Sequence, residues 1–200
     1  LMSLLHGALS DAFGRKPVIL AGLSVFLLSS IGCALADSLD QLLLFRFIQG
    51  LSAGVGLIVG RAVIRDVYDG HDAQRMMSMV SMIFSIAPAI APIIGGYILS
   101  WSHWQGIFWF LVALTALMLL VVGLFLPESH RIEKRVPIHP VSLSQSYALM
   151  LKNRRFRLLA FAGTFLFGAL FLYIAAAPDY VMTHLRLDET QFGWFFVPTI

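Results

Sequence analysis

Arg46 is the one ionisable side chain that stands inside a complete apolar block of this sequence. An arginine near the centre of a bilayer costs about 2.5 to 3.5 kcal/mol, so its presence there needs a reason. It has a polar function inside the block, or it snorkels toward the N-terminal end of its helix. Catalysis would need a nucleophile–base pair or metal ligands in the same region, and the blocks contain neither. The residues therefore argue against a membrane enzyme.

Cysteine and histidine give no sign of a metal or redox site. Cys33 is the single cysteine, so it cannot form an intrachain disulfide, and we interpret it as a small buried apolar residue. The six histidines are scattered without metal-ligand spacing. No metal and no cofactor are expected.

A polar turn, "HGALSDAFGRKP" at residues 6–17, separates two apolar stretches. Gly7 would let a neighbouring helix approach closely, and Gly14 supplies a permissive backbone for a short reversal. Pro17 suits the first turn of the following helix. The pattern predicts a tight helix–turn–helix.

Asp11 is the acid of this turn and lies near the C-terminal end of its predicted helix, where the helix dipole disfavours an anion. It should therefore have a cationic partner. Arg15 and Lys16 are the local candidates, and Arg61 and Arg65 are the distant ones.

The composition and the block lengths predict an all-α polytopic membrane protein. Hydrophobic residues make up 58% and charged residues 12% of the chain, and the mean hydropathy is +0.83. Blocks of bilayer-spanning length satisfy their backbone as helices, because barrel strands are shorter and alternate polar with apolar residues. The five complete blocks are Val18–Ala36, Leu42–Gly60, Met76–Leu99, Ile107–Leu126 and Leu158–Pro178.

The distribution of Lys and Arg orients these helices. With "DAFGRKP" in the cytoplasm, twelve of the 14 basic residues fall on the cytoplasmic side, Arg186 falls outside and Arg46 falls within a span. The positive-inside rule favours this topology over its inverse. Because the basic residues flank membrane segments, we expect the lipid bilayer and no nucleic acid as the partner.

Residues 127–157 form the one long polar stretch and divide the chain into a bundle at 1–126 and the start of a second bundle at 158–200. Within it, Leu143, Tyr147, Met150 and Leu151 have helical spacing, which suits a helix on the cytoplasmic face; a solvated linker is the alternative. Both ends of the chain fall inside apolar runs, so we expect a part of a longer protein without a signal peptide.

The turn at residues 6–17 resembles the loop 2–3 signature of the major facilitator superfamily, G-x-L-a-D-r-x-G-r-k. The resemblance implies two six-helix halves that rock about a central site, with the chain running from helix 2 into helix 8 and the 127–157 loop joining the halves. In the family this signature latches the cytoplasmic side. Carried over, the latch comprises Gly7, Asp11, Gly14, Arg15, Lys16 and Arg61. In the alternative interpretation, Arg15 and Lys16 only set the topology.

The pattern R-x-x-Q-G at Arg46, Gln49 and Gly50 resembles the helix 4 signature of proton-driven members. The resemblance implies that Arg46 tunes the pKa of a membrane carboxylic acid by favouring its charged form. The complete blocks contain no Asp or Glu. We therefore expect the acid on helix 1, outside this sequence.

Helix 5, "SMVSMIFSIAPAIAPIIGGYI", combines small residues with two prolines, which suits close helix packing and a bend. It resembles the antiporter signature of drug:proton exporters, and its A-P-x-x-A-P-x-x-G-G form resembles the Bcr/CflA multidrug group. The first three glycines of the signature are replaced by Ser78, Ala87 and Ala91. Generic packing is the alternative. The motif residues are Ala87, Ala91, Pro92, Gly95 and Gly96.

The family's central cavity is lined by helices 1, 4, 7 and 10. This implies Gln49 and Ser52 from helix 4 and Phe167, Phe171 and Tyr173 from helix 7 as cavity residues. Aromatic walls suit amphipathic, often cationic drugs. Alternatively, these aromatics face lipid or fill the core.

The resulting hypothesis is proton-coupled efflux of amphipathic drugs across the bacterial inner membrane by alternating access. The partners are drugs and protons, the complete protein is expected to be a monomer, and no enzyme activity is expected. The alternative is a carrier of a small metabolite, an amino acid or a sugar. The compounds carried, the proton stoichiometry and whether residues 1–200 fold alone are not determined by the sequence.

Overall fold

The computed structural model describes residues 2–130, 132–136 and 140–185. These residues form eight α-helices, with a 3₁₀ turn at Ile132–Lys134 and a π-helical turn at Tyr180–His184, and the described ranges contain no β-strand. The α-helices are α1 Met2–Phe13, α2 Arg15–Ala34, α3 Leu39–Ala53, α4 Val55–Val67, α5 Gly70–Trp101, α6 Gln105–Phe125, α7 Pro140–Lys152 and α8 Arg154–Asp179. The expected all-α membrane fold is confirmed.

Five segments are long and apolar enough to cross a membrane, and each contains most or all of one predicted block. The second segment is divided at Gly54 into α3 and α4, but Gly54 has α-helical dihedral angles, so the two helices form one span. Helix α5 starts six residues before the predicted block and continues through Pro88 and Pro92. The start of the predicted helix 8 and Arg186 lie outside the described residues.

Helix α2 is the centre of the packing among the first six helices. It packs most extensively on α6 and α3, and α1 packs on α2 and α4. Ile19, Val55 and Val59 form the buried apolar cluster at the α2–α4 contact. Gly22 permits this contact, because an added Cβ would lie 2.5 Å from Cγ1 of Val55.

Local signals in the sequence set where helices start. The Ser38 hydroxyl accepts a hydrogen bond from the N–H of Gln41 at 3.3 Å and caps α3. The Asn153 side chain accepts hydrogen bonds from the N–H groups of Arg155 and Phe156 and caps α8. A cap between α7 and α8 separates the helix predicted for the polar stretch from the following membrane span.

The apolar windows of α5 and α8 contain no buried residue within the described part of the chain, whereas about a third of the apolar window of α2 is buried. Helix α8 packs on α7. The exposed faces are therefore those that remain for lipid or for other transmembrane helices.

Candidate functional site

The turn between α1 and α2 is built around Arg15, which is 6% exposed. Its guanidinium donates hydrogen bonds to Oδ1 of Asp11 at 2.5 Å, to Oδ2 of Asp66 at 2.8 Å and to Oγ of Ser10 at 2.6 Å. We call Asp11, Arg15, Asp66 and Glu128 the turn cluster. The predicted need of Asp11 for a cation is met by Arg15, four residues later in the chain.

Asp66, near the end of α4, is a functional candidate that sequence reasoning missed. The stretch "IRDVYDG" contains it, but the expected distant partner of the turn was a cation, Arg61 or Arg65. The structure reverses this, because the buried cation is Arg15 and the distant group that it needs is an acid. One guanidinium thus joins α1, α2 and α4.

Arg61 forms no ion pair within 4 Å among the described residues, so the structure does not place it in an ionic latch with Asp11. It lies with Arg65 on an open cleft of about 410 Å³ between α1 and α4. Asp11 and Arg15 line the same cleft. The Asp11–Arg15 pair is local to the turn, so a latch role for Arg61 stays a prediction.

Gly14 has a φ of 102°, in the region that favours glycine, and so confirms the predicted permissive turn. Space also favours glycine, since an added Cβ would lie 2.6 Å from Oε2 of Glu128 and would displace this carboxylate. The carboxylate of Glu128 accepts the N–H of Arg15 at 2.9 Å and the N–H of Lys16 at 3.2 Å. A side chain that follows α6 therefore caps the positive end of α2.

The pKa of Glu128 lies below its ordinary value. Burial alone would raise this pKa, but the N–H groups of His130, Arg15 and Lys16 and the charge of Arg135 lower it by more. Charge at Glu128 is therefore favoured by the geometry of the cap.

The described residues after α6, 126–130 and 132–136, return to the turn between α1 and α2 and contact it. Lys16 Nζ donates to the carbonyl oxygen of Gly123 at 2.8 Å, at the C-terminal end of α6. The N–H of Val136 donates to the carbonyl oxygen of Asp11 at 3.2 Å. Lys16 thus satisfies a helix terminus, and it does not pair with Asp11. No atom of the described residues lies within 4 Å of a Cβ built on Gly7, so its close-approach role stays a prediction.

A second polar arrangement lies within the spans, and we call it the intramembrane chain: Arg46, Gln49 and Ser30. Arg46 NH1 donates to Oε1 of Gln49 at 2.6 Å, and Nε2 of Gln49 donates to Oγ of Ser30 at 2.7 Å. The guanidinium carbon also lies 5.9 Å from the ring centroid of Phe108. Ser30 was missed because one serine among apolar residues of α2 gives no distinct pattern.

The snorkelling interpretation of Arg46 does not fit this geometry. Snorkelling would extend the side chain toward the N-terminal end of α3, whereas its guanidinium bonds to a residue three positions toward the C-terminal end. Gly50 has no described atom within 4 Å of an added Cβ, so its role in the R-x-x-Q-G pattern stays a prediction.

The expected cavity residues do not share one surface. Gln49 is 2% exposed and lies inside the α2–α3 contact, because its amide is held by Arg46 and Ser30. Ser52 is also buried and lines an apolar groove of about 490 Å³ that is shared with α1 and α2. The structure thus places Gln49 in helix packing and not on a cavity wall.

On α8, Phe167 and Phe171 are exposed and lie one turn apart, so they share a helix face. Tyr173 follows Phe171 by two positions and falls on the opposite side of the helix. The three aromatics therefore cannot line a single wall together.

The motif residues of α5 are split between two environments. Ala87, Ala91 and Gly95 line a groove of about 580 Å³ between α5 and α6, whereas Gly96 is buried and Pro92 is half-buried. No described atom lies within 4 Å of a Cβ built on Gly95. The close contact expected of this motif is therefore absent at Gly95 among the described residues, and the role of the motif as a whole stays a prediction. In the same residues, no cluster of His, Cys, Asp or Glu could hold a metal ion.

Comparison with known proteins gives consistent matches. The sequence matches the Major Facilitator Superfamily over residues 1–200. It is 32% identical over 197 residues to a bicyclomycin resistance protein homolog of Haemophilus influenzae, covering 98% of this chain and 50% of that protein. It is 32% identical over 198 residues to the multidrug transporter MdfA of Shigella boydii, covering 97% of this chain and 47% of that protein.

The fold matches that of a solved transporter, the human organic anion transporter MFSD10. The TM-score is 0.71 at 24% identity, over 97% of this chain and 49% of the other. The chain thus spans about half the length of the proteins it matches. The matches confirm the resemblance inferred from the turn at residues 6–17 and from helix 5. This resemblance extends to the Bcr/CflA group of multidrug transporters. This chain belongs to the Major Facilitator Superfamily.

Proposed function

We propose that the complete transporter exports amphipathic drugs in exchange for protons across the bacterial inner membrane, as a monomer. Two relatives, a bicyclomycin resistance protein homolog and a multidrug transporter, support drugs as the substrate class. The observation that supports proton coupling is the intramembrane chain, in which the guanidinium of Arg46 is held by Gln49 within a membrane span.

The role of Arg46 follows from its charge. A guanidinium close to a carboxylic acid favours the ionised form of that acid and lowers its pKa. No Asp or Glu of the described residues forms an ion pair with Arg46 within 4 Å, so we place the acid on a transmembrane helix outside them. Proton uptake by this acid from the periplasm would weaken its attraction to Arg46 and favour outward release of the drug.

The turn cluster serves as the cytoplasmic latch in this proposal. Arg15 holds Asp11 and Asp66 together, while Glu128 holds the start of α2. This unit moves as one piece when the two halves alternate between inward-open and outward-open states. The groove at Ala87, Ala91 and Gly95 is the face on which a helix of the second half packs.

Proton movement in liposomes tests this function. The complete transporter is reconstituted with an internal pH dye and exposed to a panel of amphipathic drugs, and wild type is compared with Arg46→Ala. We expect drug-triggered proton flux opposite to the drug and its loss in Arg46→Ala. Arg75→Ala is the control, because Arg75 is an exposed basic residue in the first turns of α5.

Two results would contradict the proposal. Uptake of an amino acid or a sugar without any response to drugs would favour the metabolite carrier. Equal drug-triggered flux in wild type and Arg46→Ala would remove Arg46 from proton coupling and leave its charge without a transport role.

A further inference from the structure

We propose that Ser30 is a positioning residue for Arg46 and that it acts through Gln49. This role rests on the proposed proton coupling by Arg46. Ser30 lies on α2 and Gln49 on α3, so the contact between these two helices sets where the guanidinium is held.

The direction of each hydrogen bond follows from one fixed acceptor. The carbonyl oxygen of Phe26 can only accept, and it lies 2.7 Å from Oγ of Ser30, so the Ser30 hydroxyl donates its proton there. The same oxygen is then left as an acceptor for the amide nitrogen of Gln49 at 2.7 Å. This orients the amide so that its oxygen faces Arg46 at 2.6 Å.

Without the Ser30 hydroxyl, the NH₂ group of Gln49 loses its acceptor, and the amide is held from one side only, by its bond to Arg46. The amide and the guanidinium can then shift together, because no group on α2 fixes the other end of the amide. Burial strengthens the constraint, since Gln49 is 2% exposed and Ser30 is fully buried, so water is not at hand as a substitute partner. Ser30 therefore anchors to α2 the amide that holds Arg46.

Ser29 provides a matched control on the same helix. It is also buried, at 3% exposed, but its hydroxyl donates only to Val25 and Phe26 carbonyl oxygens of its own helix. Ser29→Ala and Ser30→Ala remove the same atom from adjacent buried positions. They differ in whether a bond to α3 is lost.

The test measures drug-triggered proton flux against pH in liposomes for the complete transporter. We expect Ser30→Ala to lower the flux about fivefold and to move the flux–pH profile about 0.5 pH unit toward higher pH, because a loosely held guanidinium favours the charged acid less. Ser29→Ala should retain the wild-type profile. In a Gln49→Met background, Ser30→Ala should change the flux no further, because Gln49 is the group through which it acts.

Three outcomes are informative. Coincident profiles for Ser30→Ala and Ser29→Ala would overturn the role of Ser30 while leaving the proposed function in place. Additive losses for Ser30→Ala and Gln49→Met would also overturn it, since they would show a purely structural effect. Absence of drug-triggered flux in wild type would overturn the proposed function and, with it, the role of Ser30.

Discussion

At the scale of single residues, the turn cluster is decided by one guanidinium that two carboxylates share. Arg15 is buried, whereas the side chains of Asp11 and Asp66 are 51% and 23% exposed. The acids keep part of their hydration, so the desolvation cost falls mainly on Arg15, which is satisfied by three side-chain acceptors. The cluster therefore fixes helix ends while its acids stay open to the cytoplasmic side.

Glu128 gives this cluster a pH dependence. Its pKa is lower in the folded chain than in the unfolded chain, so its contribution to stability is present above the ordinary carboxyl pKa. That contribution is lost as the pH falls through the lowered pKa. We expect Glu128→Gln to decrease the Tm of the purified transporter by about 2 °C at pH 7, and we expect this difference from wild type to shrink as the pH falls below the ordinary carboxyl pKa of about 4.3.

Glu133→Gln is the control for this measurement, because Glu133 is an exposed acid of the same segment. A Tm difference between Glu128→Gln and wild type that stayed constant from pH 7 to pH 3 would contradict the role of its charge. Thermal unfolding in detergent, followed by tryptophan fluorescence, gives the Tm of each variant and of wild type at each pH.

At the scale of elements, small residues on α2 determine how closely its neighbours pack. Gly22 contacts Val55, and an added Cβ at Gly32 would collide with the ring of Phe45. Both contacts lie on one helix and face the span formed by α3 and α4. Close helix approach in a membrane depends on such sites, since lipid provides no hydrophobic drive for helix association.

Gly22→Ala should destabilise the N-terminal bundle by about 1 to 3 kcal/mol, because the new Cβ would lie 2.5 Å from Cγ1 of Val55 and the helices must separate. Unfolding in mixed micelles with increasing SDS measures this change. Gly163→Ala on α8 is the control, since its added Cβ meets no atom within 4 Å. Equal stability of the two variants would show that the α2–α4 contact is not tight, whereas partial recovery in Gly22→Ala/Val55→Ala would confirm the steric cause.

At the scale of the whole molecule, five apolar spans and the distribution of basic residues give one orientation in the membrane. The turn cluster, the segment after α6 and α7 then share the cytoplasmic side, and the α2–α3 and α5–α6 loops share the other side. This arrangement places the intramembrane chain and the turn cluster at different depths of the same bundle.

Cysteine labelling tests this topology in a Cys33→Ser background. We expect a membrane-impermeant maleimide to label Asp37→Cys and Ser102→Cys in intact cells whose outer membrane is permeable. His71→Cys and Gln145→Cys should react only after the inner membrane is opened. All four positions are exposed, so a reversed pattern would reflect an inverted topology and not burial.

Much of the fold could be predicted from the sequence because each membrane span must satisfy its own backbone, and a block of apolar residues is enough to define it. The turn at residues 6–17 was also predictable, since Gly14 marks a positive φ angle locally. The ionic partners were predicted less well. Arg61 was expected in the latch, whereas the distant residue that pairs with the turn in the structure is Asp66, which binds Arg15.

The sequence by itself thus determined the spans and the superfamily resemblance, and it predicted the orientation of the spans and a cationic partner for Asp11. These properties depend on residues that are close together in the sequence, within about one or two helical turns, or on whether a segment lies in lipid or in water. Only the tertiary structure decided that Glu128 caps α2, that Asp66 pairs with Arg15 and that Gln49 donates a hydrogen bond to Ser30. These contacts join residues 113, 51 and 19 positions apart. Their partners are chosen by how the helices pack, which no local pattern of residue types encodes.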